Sequence, residues 1–264
     1  QSGEYFVMEV SSHAIKQQRI AGITFQVACL TNITQDHLDY HKTFEEYKQT
    51  KLGFMAGVNG TKIFPKDFSE QIIPGSGRLE GTFNKKNLQA TKSILLSLGF
   101  EPNRIDKVLS TLKPPPGRFE YVEGSQPFDV IIDYAHTPDG LNNVLNAARK
   151  QLKNKENKVL CLFGCGGDRD RQKRPLMAKE VCSLADTVVI TQDNPRTEDK
   201  DQIIDDILKG VPKLFKAYFI LHDREAAIHK ILSLAKSGDV VVIAGKGHEK
   251  YQIIDHKKIN FDDK

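Results

Sequence analysis

Four short, nearly unbroken apolar runs constrain this chain more than any other feature: Val130–Tyr134, Lys158–Phe163, Thr187–Thr191 and Val240–Ala244. A strand with one wet face alternates apolar and polar residues. A run without alternation is covered on both faces, as strands inside a parallel sheet are. Parallel neighbours also need crossovers long enough to hold a helix. Helical patterns do separate these runs, at Pro138–Leu152, Pro175–Leu184, Gln202–Leu208 and Arg224–Ala235. Two further strands are expected at Tyr5–Val10 and Phe25–Leu30, with helices from Thr43 to Met55 and from Asn87 to Leu98. The fold class is therefore α/β.

Two local signals mark helix starts. Thr43 and Glu46 have the spacing of a capping box, and Thr137-Pro138 pairs an N-cap with a first-turn proline. Pro114-Pro115-Pro116-Gly117 cannot continue a helix and favours extended backbone, so the domain boundary is placed there: 1–113, then 114–264. The stretch Asn59–Glu80, poor in periodicity and rich in Gly, Pro and Ser, reads as loop or as a junction where something is absent.

Composition excludes several classes. The net charge of +4 is small and Lys and Arg are interspersed with Asp and Glu, so nucleic acid is not expected as a partner. A local basic pocket for phosphates or carboxylates is compatible with that balance. No apolar run approaches the roughly 20 residues of a membrane span. The four cysteines lack zinc spacing, and Cys161 and Cys165 sit beside an apolar run, as buried thiols of a reducing cytoplasm would.

The chemistry-bearing residues follow strand ends, where ligands gather in parallel sheets. Glu9 lies in Met8-Glu9-Val10-Ser11-Ser12-His13, and His37 in Thr31-Asn32-Ile33-Thr34-Gln35-Asp36-His37-Leu38-Asp39-Tyr40-His41. A carboxylate and an imidazole at two such ends can share a metal ion, although singly such residues are usually caps or loop positions. Gly164-Cys165-Gly166-Gly167-Asp168-Arg169-Asp170 is a glycine-rich strand-to-helix turn without the Lys-Thr or Lys-Ser ending of a phosphate loop. Asp193-Asn194-Pro195-Arg196 and Gly245-Lys246-Gly247-His248-Glu249 follow two more strands. The first of these is also a good turn sequence in its own right.

Taken in order, these motifs and Tyr47-Lys48-Gln49-Thr50-Lys51 resemble the Mur ligase family over nearly the whole chain. They are most similar to the member that adds the third residue of the peptidoglycan stem peptide. The resemblance implies a central ATPase domain with an incomplete parallel sheet and a Rossmann-like C-terminal domain that binds the incoming amino acid. It implies ATP and Mg²⁺ as cofactors. It assigns the metal to Glu9, His37 and Lys51, with Lys51 carrying a carbamate as N6-carboxylysine, whose anionic oxygens suit a hard cation. Asn84 would lie near adenine, where an Asn N-cap is the other reading. Asp133 would face the ATP ribose, and Arg118 the transferred phosphoryl group. Ser11, Gln17 and Arg19 would contact UDP-N-acetylmuramoyl-L-alanyl-D-glutamate. Arg169, Asp193, Asn194, Pro195, Arg196, Gly245 and Glu249 would bind meso-diaminopimelate. Arg196 would grip the distal carboxylate that lysine lacks.

The resemblance further implies a two-step ligation through an acyl phosphate, in a cytoplasmic monomer with no membrane partner. Two alternatives stay open: a relative adding lysine or another amino acid, and a non-catalytic binding module. The second is suggested by departures from the family pattern. No Gly-Lys-Thr phosphate loop is found, no nucleotide-binding N-terminal domain precedes Gln1, and the segment from Met55 to Gly81 is short. The end at Asp262-Asp263-Lys264 also leaves out an expected last helix.

Overall fold

A computed structural model describes residues 4–70, 79 and 81–264. In the first half, α1 (Ser12–Lys16), β1 (Val27–Cys29), α2 (Leu38–His41), α3 (Phe44–Gly57) and β2 (Thr61–Ile63) lead into α4 (Thr82–Ser97) and α5 (Pro102–Leu109). β1 and β2 form a parallel pair, with Val27 opposite Thr61. Ala28, Met55 and Val58 form a small core between that pair and α3. Thr43 caps α3 as expected, its hydroxyl accepting the Glu46 N–H at 3.2 Å.

Three expectations are corrected here. Tyr5–Val10 is not a strand: it has no pairing strand among the described residues, and Phe6 and Val7 are 84% and 92% exposed. Apolar character alone does not make a strand without a hydrogen-bonding neighbour. The region read as loop from Asn59 holds β2 and a 3₁₀ turn at Pro65–Asp67; residues 71–78 and Glu80 of that stretch lie outside the described residues. Asn84 is not an N-cap, since α4 is capped at Gly81 and begins five residues before Asn87.

The second half is a six-stranded sheet. Its elements run β3 (Glu120–Tyr121), β4 (Asp129–Asp133), α6 (Pro138–Arg149), β5 (Val159–Cys165), α7 (Lys173–Leu184), β6 (Thr187–Gln192), α8 (Lys200–Leu208), β7 (Tyr218–Ile220), α9 (Arg224–Leu234) and β8 (Val240–Ala244). The hairpin β9 (Tyr251–Ile254) and β10 (Lys257–Asn260) follows. Strand order is β3-β4-β8-β5-β6-β7, parallel except for β3. The pleat explains the unbroken apolar runs. Cys161, Phe163, Val188, Ile190 and Val242 pack under α6, α7 and α8. Leu160, Leu162, Val189, Val241 and Ile243 face α9 on the other side. Thr137 caps α6 ahead of Pro138, accepting the Gly140 N–H at 3.1 Å.

The halves touch through charge and rings. Asp36 lies 3.4 Å from the Lys173 ammonium and 3.8 Å from His136 Nε2. Burial works against the Asp36 carboxylate, yet Lys173, then His37 and His136, hold it below its ordinary range. Phe83 and Phe119 meet with ring centroids 6.1 Å apart.

Candidate amino-acid and nucleotide site

Four neighbouring parallel strands, β4, β8, β5 and β6, end on one edge of the sheet, and their following loops converge there. The Asp193–Arg196 turn after β6 is zipped onto β9. Arg196 N donates to Ile253 O at 3.0 Å, and Asp255 N donates to Arg196 O at 2.7 Å. This holds Arg196 at φ 52°, a left-handed conformation that only a fixed turn imposes on a bulky residue. The half-buried guanidinium donates to the Gly167 carbonyl at 2.8 Å. Burial pushes Arg196 below its ordinary value, and the neighbouring Arg169 adds to this. Among the described residues neither guanidinium is in an ion pair, so the two together have the chemistry to take an anionic group.

Opposite charge stands beside them. Asn194 donates to Glu249 Oε2 at 3.0 Å and accepts from Ile253 N at 2.9 Å, which joins the β6 and β8 loops. Lys246 is fully buried between Asp193, at 3.6 Å, and Glu249, at 3.5 Å. Tyr134 reaches Glu249 with its hydroxyl at 3.5 Å and carries Arg118 over its ring at 4.6 Å. Arg118 itself is exposed. Gly167 approaches the neighbouring turn so closely that a Cβ there would lie 1.9 Å from Pro195 O. The glycine turn after β5 is bound to the other loop a second time: Thr197 N and Oγ1 both donate to Asp168, at 3.1 and 2.9 Å.

Asp133 is buried and accepts from Phe119 N at 2.8 Å and Ala135 N at 2.7 Å. Burial raises this carboxyl above its usual range despite those bonds. As it stands, Asp133 fastens the start of the second half to β4. Asn84 is buried in the first turn of α4.

In the first half, His37 and Lys51 both face Tyr47, His37 with its ring 6.2 Å from the Tyr47 ring and Lys51 with its ammonium 4.9 Å away. Burial lowers His37 below its ordinary value against the pull of Asp36, which favours the neutral imidazole a metal needs. Both residues thus lie around the Tyr47 ring. Glu9 is exposed in the extended segment, and no hydrogen bond or ion pair joins it to them. Among the described residues, no group of three His, Cys, Asp or Glu side chains is arranged to hold a metal. The full donor set expected from sequence is thus not assembled. Ser11 caps α1 by accepting Ala14 N at 3.2 Å; Gln17 and Arg19 are exposed just beyond its other end.

The profile of the Mur ligase middle domain matches residues 1–90, and that of the Mur ligase glutamate ligase domain matches residues 117–247. The chain belongs to the Mur ligase family. This Mur ligase chain is 43% identical over 306 residues to UDP-N-acetylmuramoyl-L-alanyl-D-glutamate–2,6-diaminopimelate ligase of Gloeobacter violaceus, covering 99% of the chain and 62% of the relative. The enzyme of the same name from Syntrophomonas wolfei is 40% identical over 312 residues, covering 100% of the chain and 63% of the relative. The chain thus spans less than two thirds of these curated relatives. A solved structure bearing that enzyme name is 30% identical, with a TM-score of 0.54 over 96% of this chain and 61% of its own. Folylpolyglutamate synthase of Mycobacterium tuberculosis shares the fold at 16% identity, with a TM-score of 0.64 over 85% of this chain and 62% of its own. No helix among the described residues of this Mur ligase chain is long and apolar enough to cross a membrane.

Sequence reading had gathered Arg169, Asp193, Asn194, Pro195, Arg196, Gly245 and Glu249, and the structure sets their loops side by side. It missed the buried cations that hold them. Arg174, on α7, donates to Glu198 at 2.8 and 2.7 Å, to Asp206 at 3.0 Å and to Gly166 O at 3.2 Å. Arg224, on α9, donates to Asp263 at 2.7 Å through two nitrogens and to the Gln192 and Ala244 carbonyls at the ends of β6 and β8. An unbroken helical pattern with a basic residue at the first turn was the available signal, but it does not distinguish a buried fork from a solvated one.

Proposed function

We propose that this chain is the central and C-terminal part of an ATP-dependent ligase that joins meso-diaminopimelate to UDP-N-acetylmuramoyl-L-alanyl-D-glutamate in peptidoglycan synthesis. The observation that carries this reading is Arg196, half-buried in a fixed turn, with Arg169 as a second cation and Asp193 and Glu249 close by. Diaminopimelate carries carboxylates and ammonium groups that complement both signs. Lysine lacks the distal carboxylate, so binding it would leave the guanidinium desolvated and unpaired, a strong basis for rejection.

The reaction assigned to the whole enzyme has two steps. The D-glutamyl carboxylate attacks the γ-phosphorus of ATP, giving an acyl phosphate and ADP. The uncharged amine of diaminopimelate then attacks the acyl carbon; phosphate leaves with the electron pair, and the amine loses a proton. Arg118, exposed above Tyr134, is available to the phosphoryl charge. Magnesium, when bound, would offset phosphate charge, and His37 with a carbamylated Lys51 would hold it. Ser11, Gln17 and Arg19 are assigned to the nucleotide-linked substrate, and Asn84 and Asp133 to ATP. The residues 1–113 and 114–264 are read as separate domains, in a cytoplasmic monomer.

ADP release by the full-length protein, supplied with the nucleotide dipeptide and either amino acid, tests the reading. Release that depends on meso-diaminopimelate and is at least about 10²-fold slower with lysine supports it. Equal rates contradict it.

A further inference from the structure

Lys246 has no assigned role, yet it is the charge around which the two amino-acid motifs close. Its side chain has no exposed surface. Its ammonium lies 3.3 Å from Asn194 Oδ1, 3.5 Å from Glu249 Oε2 and 3.6 Å from Asp193 Oδ1, with the Tyr251 ring at 5.6 Å. Three oxygens from two loops surround the ammonium: Asn194 Oδ1 accepts a hydrogen bond, and the Asp193 and Glu249 carboxylates stand at ion-pair distance. Asn194 completes the triangle by donating to Glu249 at 3.0 Å. A buried cation persists only where such partners compensate its lost hydration.

The surrounding charges do not cancel. Arg224, which also feels the charges of Asp193 and Glu249, is forked onto Asp263. Arg224 and Asp263 neutralise each other, whereas Lys246 alone faces two carboxylates, so the Lys246–Asp193–Glu249 triad carries one formal negative charge. Asp193 Oδ1 is buried with no hydrogen-bond partner among the described residues, and its other oxygen lies under Gly245, where a Cβ would stand 3.1 Å away. Arg196, which also feels the charges of Asp193 and Glu249, stands near Arg169 in the same loop cluster and supplies positive charge for carboxylates, and the Tyr134 hydroxyl touches Glu249.

We infer that Lys246 is a positioning residue for the amino-acid substrate: it ties the Asp193 and Glu249 carboxylates into one cluster whose remaining negative charge receives the ammonium of the incoming diamino acid. The inference rests on the reading of this edge as the amino-acid site.

Its test uses the full-length protein and its Lys246→Gln variant, with KM measured separately for meso-diaminopimelate, ATP and the nucleotide dipeptide. Loss of a charged hydrogen-bond hub is expected to raise KM for the amino acid at least about tenfold while KM for ATP stays within about twofold. An unchanged amino-acid KM, or an equal rise in all three, overturns the inference. If Lys246→Gln shows no cooperative melt, the measurement passes to Lys246→Arg, which keeps the charge on a longer, planar group. A selective rise in amino-acid KM of about threefold or more then supports the role, and no selective rise overturns it. Wild-type protein that shows no diaminopimelate-dependent ADP release rejects the reading of the site itself, whatever the variants do.

Discussion

The Arg174 guanidinium sits 2.7 Å from the Glu198 carboxylate, with no exposed surface on the arginine side chain. Through that fork α7 holds the segment just beyond Arg196, and through Gly166 O it holds the glycine turn after β5. Replacing Arg174 by Met removes the buried partner of Glu198 and Asp206, which then keep only the more exposed Arg171 and Lys209. We expect a loss of about 3–5 kcal/mol, read as a lowered midpoint in chemical denaturation. A loss below about 1 kcal/mol would show that the fork is dispensable.

The same cluster gives stability a pH dependence. The hydrogen bond from Arg174 holds Glu198 below the usual carboxylate range, and bonds from Thr197 hold Asp168 there too. A carboxyl lowered on folding stabilises above its unfolded value, near about 4, and that contribution is lost as pH falls through the folded value. Asp133, raised by burial, works in the opposite sense, so its penalty is relieved by protonation on the way down. Acid titration of the fluorescence-detected unfolding midpoint is expected to show a shallower decline below about pH 4 in Glu198→Gln than in the wild type. Identical slopes would remove Glu198 from the account.

Gly167 tests the contact between the two loops. Ala at this position places a Cβ 1.9 Å from Pro195 O, which only a backbone shift relieves. The shift would move Arg196 with it. Gly167→Ala is expected to raise the KM for diaminopimelate more than that for ATP, by about tenfold or more. Equal effects on both would place the damage in general folding.

Thiol reactivity reports on the sheet. Burial pushes Cys165 up to about 12 and Cys182 up to about 11, and it raises Cys161 as well. Cys29 is only half-buried. Alkylation at neutral pH followed by peptide mapping is expected to label Cys29 first and the other three only after denaturant is added. Early labelling of Cys161 would mean that β5 is open to solvent.

What the sequence disclosed follows from how burial is written into it. The strands expected at Lys158–Phe163 and Val240–Ala244, observed at Val159–Cys165 and Val240–Ala244, could be read because strands covered on both faces leave no polar alternation. Their helices followed from Thr137-Pro138 and similar caps. Tyr5–Val10 misled because strand pairing depends on a neighbour, which local composition does not specify. β7, with Phe219 and Ile220 partly exposed at the sheet edge, gave too short a signal, and the β9–β10 hairpin turns at Asp255-His256 on a left-handed Asp255 without glycine. Arg196 stood out through its motif. Lys246, Arg174 and Arg224 did not, because a basic residue is ordinarily solvated and only the fold shows these three buried.

The central claim is that the Arg196 guanidinium selects the distal carboxylate, and its most direct test is the ratio of kcat/KM for meso-diaminopimelate to that for lysine, in full-length wild type and Arg196→Ala. The wild-type ratio is expected to exceed about 10², and the variant ratio to fall at least about tenfold, chiefly through loss of the diaminopimelate reaction. A variant that keeps the wild-type ratio would contradict the account.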